Sequence, residues 1–177
     1  MTAPLRLGSL TVDTPVVLAP MAGITNAAYR RLCAEQGAGL YVCEMITSRG
    51  LVEGDAHTMD MLVFDELETV RSVQLYGTDP VYVAKAAEIL CGDFGVAHID
   101  LNFGCPVPKV TRKGGGGALP WKRGLLAEIL EHAVAAATAA SRIRPRSPRF
   151  QGSAPPPPLR VTLGTGQPKL RSMCLTP

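Results

Sequence analysis

The sequence predicts an α/β protein built on a parallel sheet. Through the first 137 residues, short apolar, β-rich runs alternate with helix-like segments. Repetition of strand and helix in this way implies parallel strands joined by right-handed crossovers. The chain has 177 residues, 46% of them hydrophobic, which suffices for one domain with a real core. Periodicity and strand count leave two architectures open, an open doubly wound sheet and part of a closed barrel.

The elements follow in order. Val16 to Met21 reads as a first strand, ending in Ala19-Pro20-Met21-Ala22-Gly23. Asn26 caps a helix that runs to about Gln36, and Gly37 stops it. Leu40 to Ile46 is a second strand, and Ser72 to Tyr76 a third, closed by Gly77. Asp79-Pro80 opens a helix with a cap and a proline in the first turn, and that helix reaches about Leu90. Val96 to Leu101 is the fourth strand, mostly apolar and bounded by turn residues. Beyond a loop from Lys109 to Pro120, Leu125, Leu126, Ile129, Leu130, Ala133 and Val134 mark one apolar helix face.

The fourth strand runs into Asn102-Phe103-Gly104-Cys105-Pro106. Gly104 accepts backbone geometry that other residues resist, and Pro106 fixes its own φ, so Cys105 sits in a stiff turn. A thiol on a rigid loop just past a strand is where an α/β protein places chemistry. The first strand's turn lacks the Gly-x-Gly-x-x-Gly of a dinucleotide fold. The Gly114 to Gly117 run does not directly follow a strand and reads as a mobile loop, with only weak likeness to a phosphate cradle.

Composition excludes several classes. No apolar run is long enough for a membrane span, and the first residues carry no secretory pattern. Five cysteines (33, 43, 91, 105 and 174) are odd in number and widely spaced, without a Cys-x-x-Cys pair. That argues against a disulfide framework or a zinc site and fits a reducing cytoplasm. His57, His98 and His132 lack metal-ligand spacing, and with Trp121 the only tryptophan no base-stacking platform is apparent. The net charge of +3 is divided: residues 1–140 hold eleven Lys or Arg against all fifteen Asp or Glu, whereas the rest hold seven cations and no acid. Eight of the fifteen prolines also fall after residue 140, four of them at Pro155 to Pro158. Residues 138–177 therefore read as a basic, Pro-rich tail without periodicity, extended or disordered, able to touch RNA phosphates or to do nothing.

Four segments together carry a family likeness: Ala19 to Asn26, Glu44-Met45, Val73 to Gly77, and Asp100 to Pro106, in order at strand ends. From about Leu5 to Ala137 the chain resembles the tRNA-dihydrouridine synthases, most nearly their bacterial B-type branch. The resemblance implies an FMN-dependent (β/α)₈ TIM barrel that reduces uridine in tRNA to 5,6-dihydrouridine, with NADPH reducing the flavin. Hydride passes from reduced flavin to C6 and a cysteine delivers a proton to C5; Cys105 matches that cysteine. An ordinary thiol, with a pKa of about 8.5, is protonated at neutral pH and suits the part. By the same likeness Pro20, Met21 and Ala22 line the flavin ring, and Gln74 bonds its polar edge. Asn102 orients the target uridine, Glu44 faces the same pocket, and Lys109, Arg112 and Lys113 hold tRNA phosphates. The target base must leave its stack to reach such a site.

The likeness covers the N-terminal half of such a barrel, about four β/α units. A barrel of this type needs about 250 residues and eight strands. The fifth strand with its flavin-contacting lysine, a later histidine, the FMN-phosphate loops and a helical tRNA-binding domain find no match after Ala137. The loss of acids there reads as a truncated or frameshifted gene product. A half barrel would leave its first and fourth strands with unpaired edges, prone to self-association, and would bind FMN weakly with little activity. A non-catalytic RNA-binding module is the alternative reading.

Overall fold

Leu5–Leu7 (β1) and Leu10–Val12 (β2) form an antiparallel hairpin whose turn Gly8 makes at a φ of +60°, in the left-handed region. Leu7, Leu10 and Val12 pack with Leu40 in a small apolar cluster at the start of the next long strand. The computed structural model describes residues 3–141 and the backbone of residues 160–164.

Val17–Leu18 (β3), Leu40–Thr47 (β4), Ser72–Tyr76 (β5), His98–Asn102 (β6) and Arg160–Gly164 (β7) form one sheet in that order, every neighbouring pair parallel. Spatial order follows chain order throughout, whereas a doubly wound sheet reverses at a switch point. The open question left by the sequence is thus answered against a doubly wound arrangement among the described residues.

Helices fill the crossovers. Ala27–Glu35 (α1) follows β3, Ser48–Glu53 (α2) and Ala56–Asp60 (α3) follow β4, and Pro80–Gly92 (α4) follows β5. Pro108–Thr111 (α5), a 3₁₀ turn over Gly116–Trp121 and Arg123–Ser141 (α6) follow β6. Both predicted caps form: the Asn26 side chain accepts the Tyr29 N–H at 3.0 Å, and Asp79 accepts those of Val81 and Tyr82 at 2.9 and 3.2 Å.

The strands alternate as a pleated sheet must. Val73, Leu75, Ile99 and Leu101 join Val83, Ala87 and Leu90 of α4 and Ile129, Ala133 and Ala137 of α6 in the main core. The other face is polar yet buried, with Ser72, Gln74, His98, Asp100 and Asn102. These residues pair across the strands in register: Ser72 Oγ lies 2.7 Å from His98 Nδ1, and Gln74 Nε2 donates to Asp100 at 2.6 Å. Burial lowers the His98 pKa to about 4, so the ring is neutral there.

Three expectations need correction. The first strand is only two residues long, because Ala19 onward turns toward α1. The tail does not lack structure throughout: α6 continues to Ser141, and β7 lies parallel to β6 with Ile99 opposite Val161. β6 therefore has neighbours on both sides, and the unpaired edge foreseen for the fourth strand is absent. Among the described residues that edge remains on β3, with Val17 42% exposed. The other tail residues lie outside the described ones.

Candidate active site

Every parallel strand with described side chains delivers its C-terminal end to one region, and hydrogen bonds tie those ends together. The loop after β3 closes on itself first. The Met21 carbonyl accepts the N–H groups of Ile24 and Thr25 at 3.0 Å, while the Met21 N–H donates to Thr25 Oγ1, also at 3.0 Å. Gly23 has a φ of +74° in this loop, a value that glycine adopts without strain. Pro20 and Met21 are half-buried and Ala22 is exposed.

Strand β4 contributes an irregularity. Cys43 pairs with Val73 and Ile46 with Leu75, so Glu44 and Met45 together oppose the single residue Gln74. This bulge re-aims two consecutive side chains. Glu44 accepts the Gly23 N–H at 2.7 Å and so braces the β3 loop. Met45 offers its sulfur to the Asn102 amide at 3.4 Å.

A polar chain then runs along the inner face. Asp100 accepts from Gln74 Nε2, Gln74 Oε1 accepts from Asn102 Nδ2 at 3.0 Å, and Asn102 Oδ1 accepts the N–H groups of Gly104 and Cys105 at 3.2 and 3.0 Å. A carboxylate that only accepts thus stands at one end, and the direction of each amide follows from it. At the other end the Cys105 turn is held in place, with Cys105 half-buried.

The glycine run is not a mobile loop. Gly114, Gly115 and Gly116 are buried, and the Gly117 N–H donates to the Cys105 carbonyl at 2.9 Å. Gly116 has a φ of +52°, and a Cβ there would lie 2.6 Å from the Cys105 carbonyl oxygen. Only glycine lets the two turns approach so closely. The likeness of this run to a phosphate cradle does not reappear, since it supports the thiol turn instead.

Two predicted residues, Gln74 and Asn102, enter one bonded network with the Cys105 turn, whereas Glu44, beside Met45 on β4, bonds only the loop carrying Pro20, Met21 and Ala22. Lys109, Arg112 and Lys113 are exposed on and just after α5 and lie outside that network. Sequence reasoning missed Arg30 and Glu68. Arg30 is wholly buried, bonding Glu68 through Nε at 2.8 Å and the Thr25 carbonyl through Nη1 at 2.7 Å. It also donates to the Val63 carbonyl at 2.5 Å, fastening the β3 loop to the segment before β5. A signal existed: Arg30 sits on the inward stripe of α1 with Ala27, Cys33 and Ala34, where an apolar residue is the norm.

Cys43 and Cys91 are buried in the core. Burial pushes the Cys43 thiol up to about 11 and the Cys91 thiol up to about 12, which makes both inert packing groups. Among the described residues no group of His, Cys, Asp and Glu could hold a metal ion, and no helix is long and apolar enough to cross a membrane.

Comparison with known proteins assigns most of the chain to one family. Residues 17–146 match the family described as dihydrouridine synthase (Dus). A probable tRNA-dihydrouridine synthase of Mycobacterium tuberculosis (strain ATCC 25618 / H37Rv) is 52% identical over 139 residues, covering 75% of this chain and 36% of that protein. tRNA-dihydrouridine synthase B of Pseudomonas aeruginosa is 40% identical over 131 residues, covering 74% and 39% respectively. That of Proteus vulgaris is 43% identical over 131 residues, covering 73% and 40%. The chain thus spans between 36% and 40% of the length of these relatives. With its four motifs joined at the strand ends and most of its length matched, the chain belongs to the dihydrouridine synthase family.

Proposed function

We propose that this chain carries the thiol-bearing part of an FMN-dependent tRNA-dihydrouridine synthase, an oxidoreductase reducing uridine in tRNA to 5,6-dihydrouridine. The observation that carries the reading is the chain of bonds from Asp100 through Gln74 and Asn102 to the Cys105 turn. Residues 5–137 form the first units of a (β/α)₈ barrel, a reading supported by parallel strands that follow one another without reversal. The setting is cytoplasmic and the reductant is NADPH.

The donor set fits a flavin. Beyond its bonds to Asp100 and Asn102, the Gln74 amide keeps one N–H and one lone pair, the pattern that a flavin's polar edge complements. Pro20, Met21 and Ala22 offer a largely apolar bed for the ring. When bound, the flavin supplies the hydride that reaches C6 of the uracil. The chain's own residues do the rest. Cys105 delivers a proton from its sulfur to C5, and Asn102 fixes the turn that aims this thiol. Lys109, Arg112 and Lys113 bind tRNA phosphates.

The test supplies FMN, NADPH and unmodified tRNA to the purified chain and measures dihydrouridine, with Cys105→Ala as the comparison. Weak FMN binding, with what little product forms dependent on Cys105, is the expected result. Product formation unaffected by Cys105→Ala, or no FMN binding by the intact chain, overturns the reading.

A further inference from the structure

Trp121 ends the 3₁₀ turn and is 89% exposed, the most exposed large apolar side chain among the described residues. Tryptophan is highly buried on average, so a ring this open to water stands out. Its surroundings have one sign of charge. Between Asp100 and Glu128 the sequence holds Lys109, Arg112, Lys113, Lys122 and Arg123 and no acid. All five cations are exposed, and none enters an ion pair among the described residues.

These residues belong to one compact piece. The 3₁₀ turn packs on α5, Lys122 folds back over Gly114, where a Cβ would meet its Nζ at 2.3 Å, and Gly117 bonds the Cys105 carbonyl. The aromatic face, the cations and the thiol turn are therefore carried on a single stretch, Gly104 to Arg123. A positive surface with an exposed aromatic ring is the combination that holds single-stranded nucleic acid, phosphates on the cations and a base on the ring.

We propose that Trp121 is a stacking platform for an unpaired RNA base, flanked by Lys109, Arg112, Lys113, Lys122 and Arg123 as phosphate contacts, at the approach to Cys105. The inference rests on the reading of RNA as substrate and adds the residue that grips the strand beside the reacting uridine.

Trp121 is the only tryptophan of the chain, so its fluorescence reports on this position alone. The experiment titrates the intact chain with an oligouridylate and, separately, with inorganic polyphosphate, following Trp121 emission and the anisotropy of a labelled oligouridylate. Quenching by oligouridylate but not by polyphosphate is expected, and Trp121→Leu should weaken oligouridylate binding about tenfold. Removing two cations, as in Arg112→Ala with Lys122→Ala, should lower the salt slope by about 0.7 per lost contact. Oligouridylate binding with no quenching and no loss in Trp121→Leu overturns the platform while leaving RNA as substrate. Absence of RNA binding by the intact chain overturns the platform and the reading beneath it together, and FMN binding by that same protein then separates a folded chain from an unfolded one.

Discussion

Asn102 and Cys105 stand three residues apart and are joined by a 3.0 Å hydrogen bond from the Cys105 N–H to Asn102 Oδ1, with the Gly104 N–H on the same oxygen. The Asn102 amide nitrogen points the other way, to Gln74 and Met45. One side chain therefore decides both how the thiol turn is held and how it is connected to the sheet.

Asn102→Ala should free the Gly104 and Cys105 amides, and Asn102→Asp should keep them, because a carboxylate still accepts. Amide hydrogen exchange at those two positions distinguishes the variants. Loss of about 1 kcal/mol of stability is expected for the alanine change. Equal protection in both variants would show that the turn holds itself.

Arg30 and Glu68 form an ion pair with no exposed side-chain surface. Removing one partner strands a buried charge, so Glu68→Leu should cost about 3–5 kcal/mol in urea unfolding. The double change Arg30→Met with Glu68→Leu should recover much of that loss. Because Arg30 also holds the Thr25 carbonyl, amide exchange in the loop from Met21 to Thr25 should stay fast in the double variant.

Gly116→Ala should destabilise by about 1–3 kcal/mol, through its positive φ and the contact with the Cys105 carbonyl. Gly124→Ala, with open space around its Cβ, is the control and should be neutral or stabilising. Thermal unfolding of the two variants reads the difference.

His98 gives the pH dependence. Its folded pKa of about 4 lies below the usual 6.5, so the unfolded chain binds the extra proton first. The stability contributed by the neutral ring is fully present above pH 6.5 and falls by about 1.4 kcal/mol per unit as pH drops toward 4. Urea midpoints measured across that range should show the slope, and His98→Gln should flatten it.

Much of the scaffold was legible because its signals are local. Asn26 and Asp79-Pro80 announce helix starts by their own hydrogen-bonding chemistry, and the run Ser72 to Tyr76 forms the third strand with the bounds read from the sequence. The motif residues Glu44, Gln74, Asn102 and Cys105 could be named from their order along the chain. What each one bonds could not. The Arg30–Glu68 pair spans 38 residues, and no local pattern links its halves. The glycine run was misread because its partner, the Cys105 carbonyl, is a backbone atom on another turn. β7 was missed because Arg160 to Gly164 is short and set among proline and glycine, and only pairing with β6 makes it a strand.

The extra residue in β4 has a consequence for how such a protein tolerates deletion. With one residue opposite Gln74, the strand could reach either the Gly23 loop or the Asn102 amide, but not both. Removing Glu44 or Met45 would yield straighter, better-paired backbone with its packing side chains still inward. The price would be a severed link between the Gly23 loop and the thiol turn, so greater regularity here would mean a looser join between the strand ends.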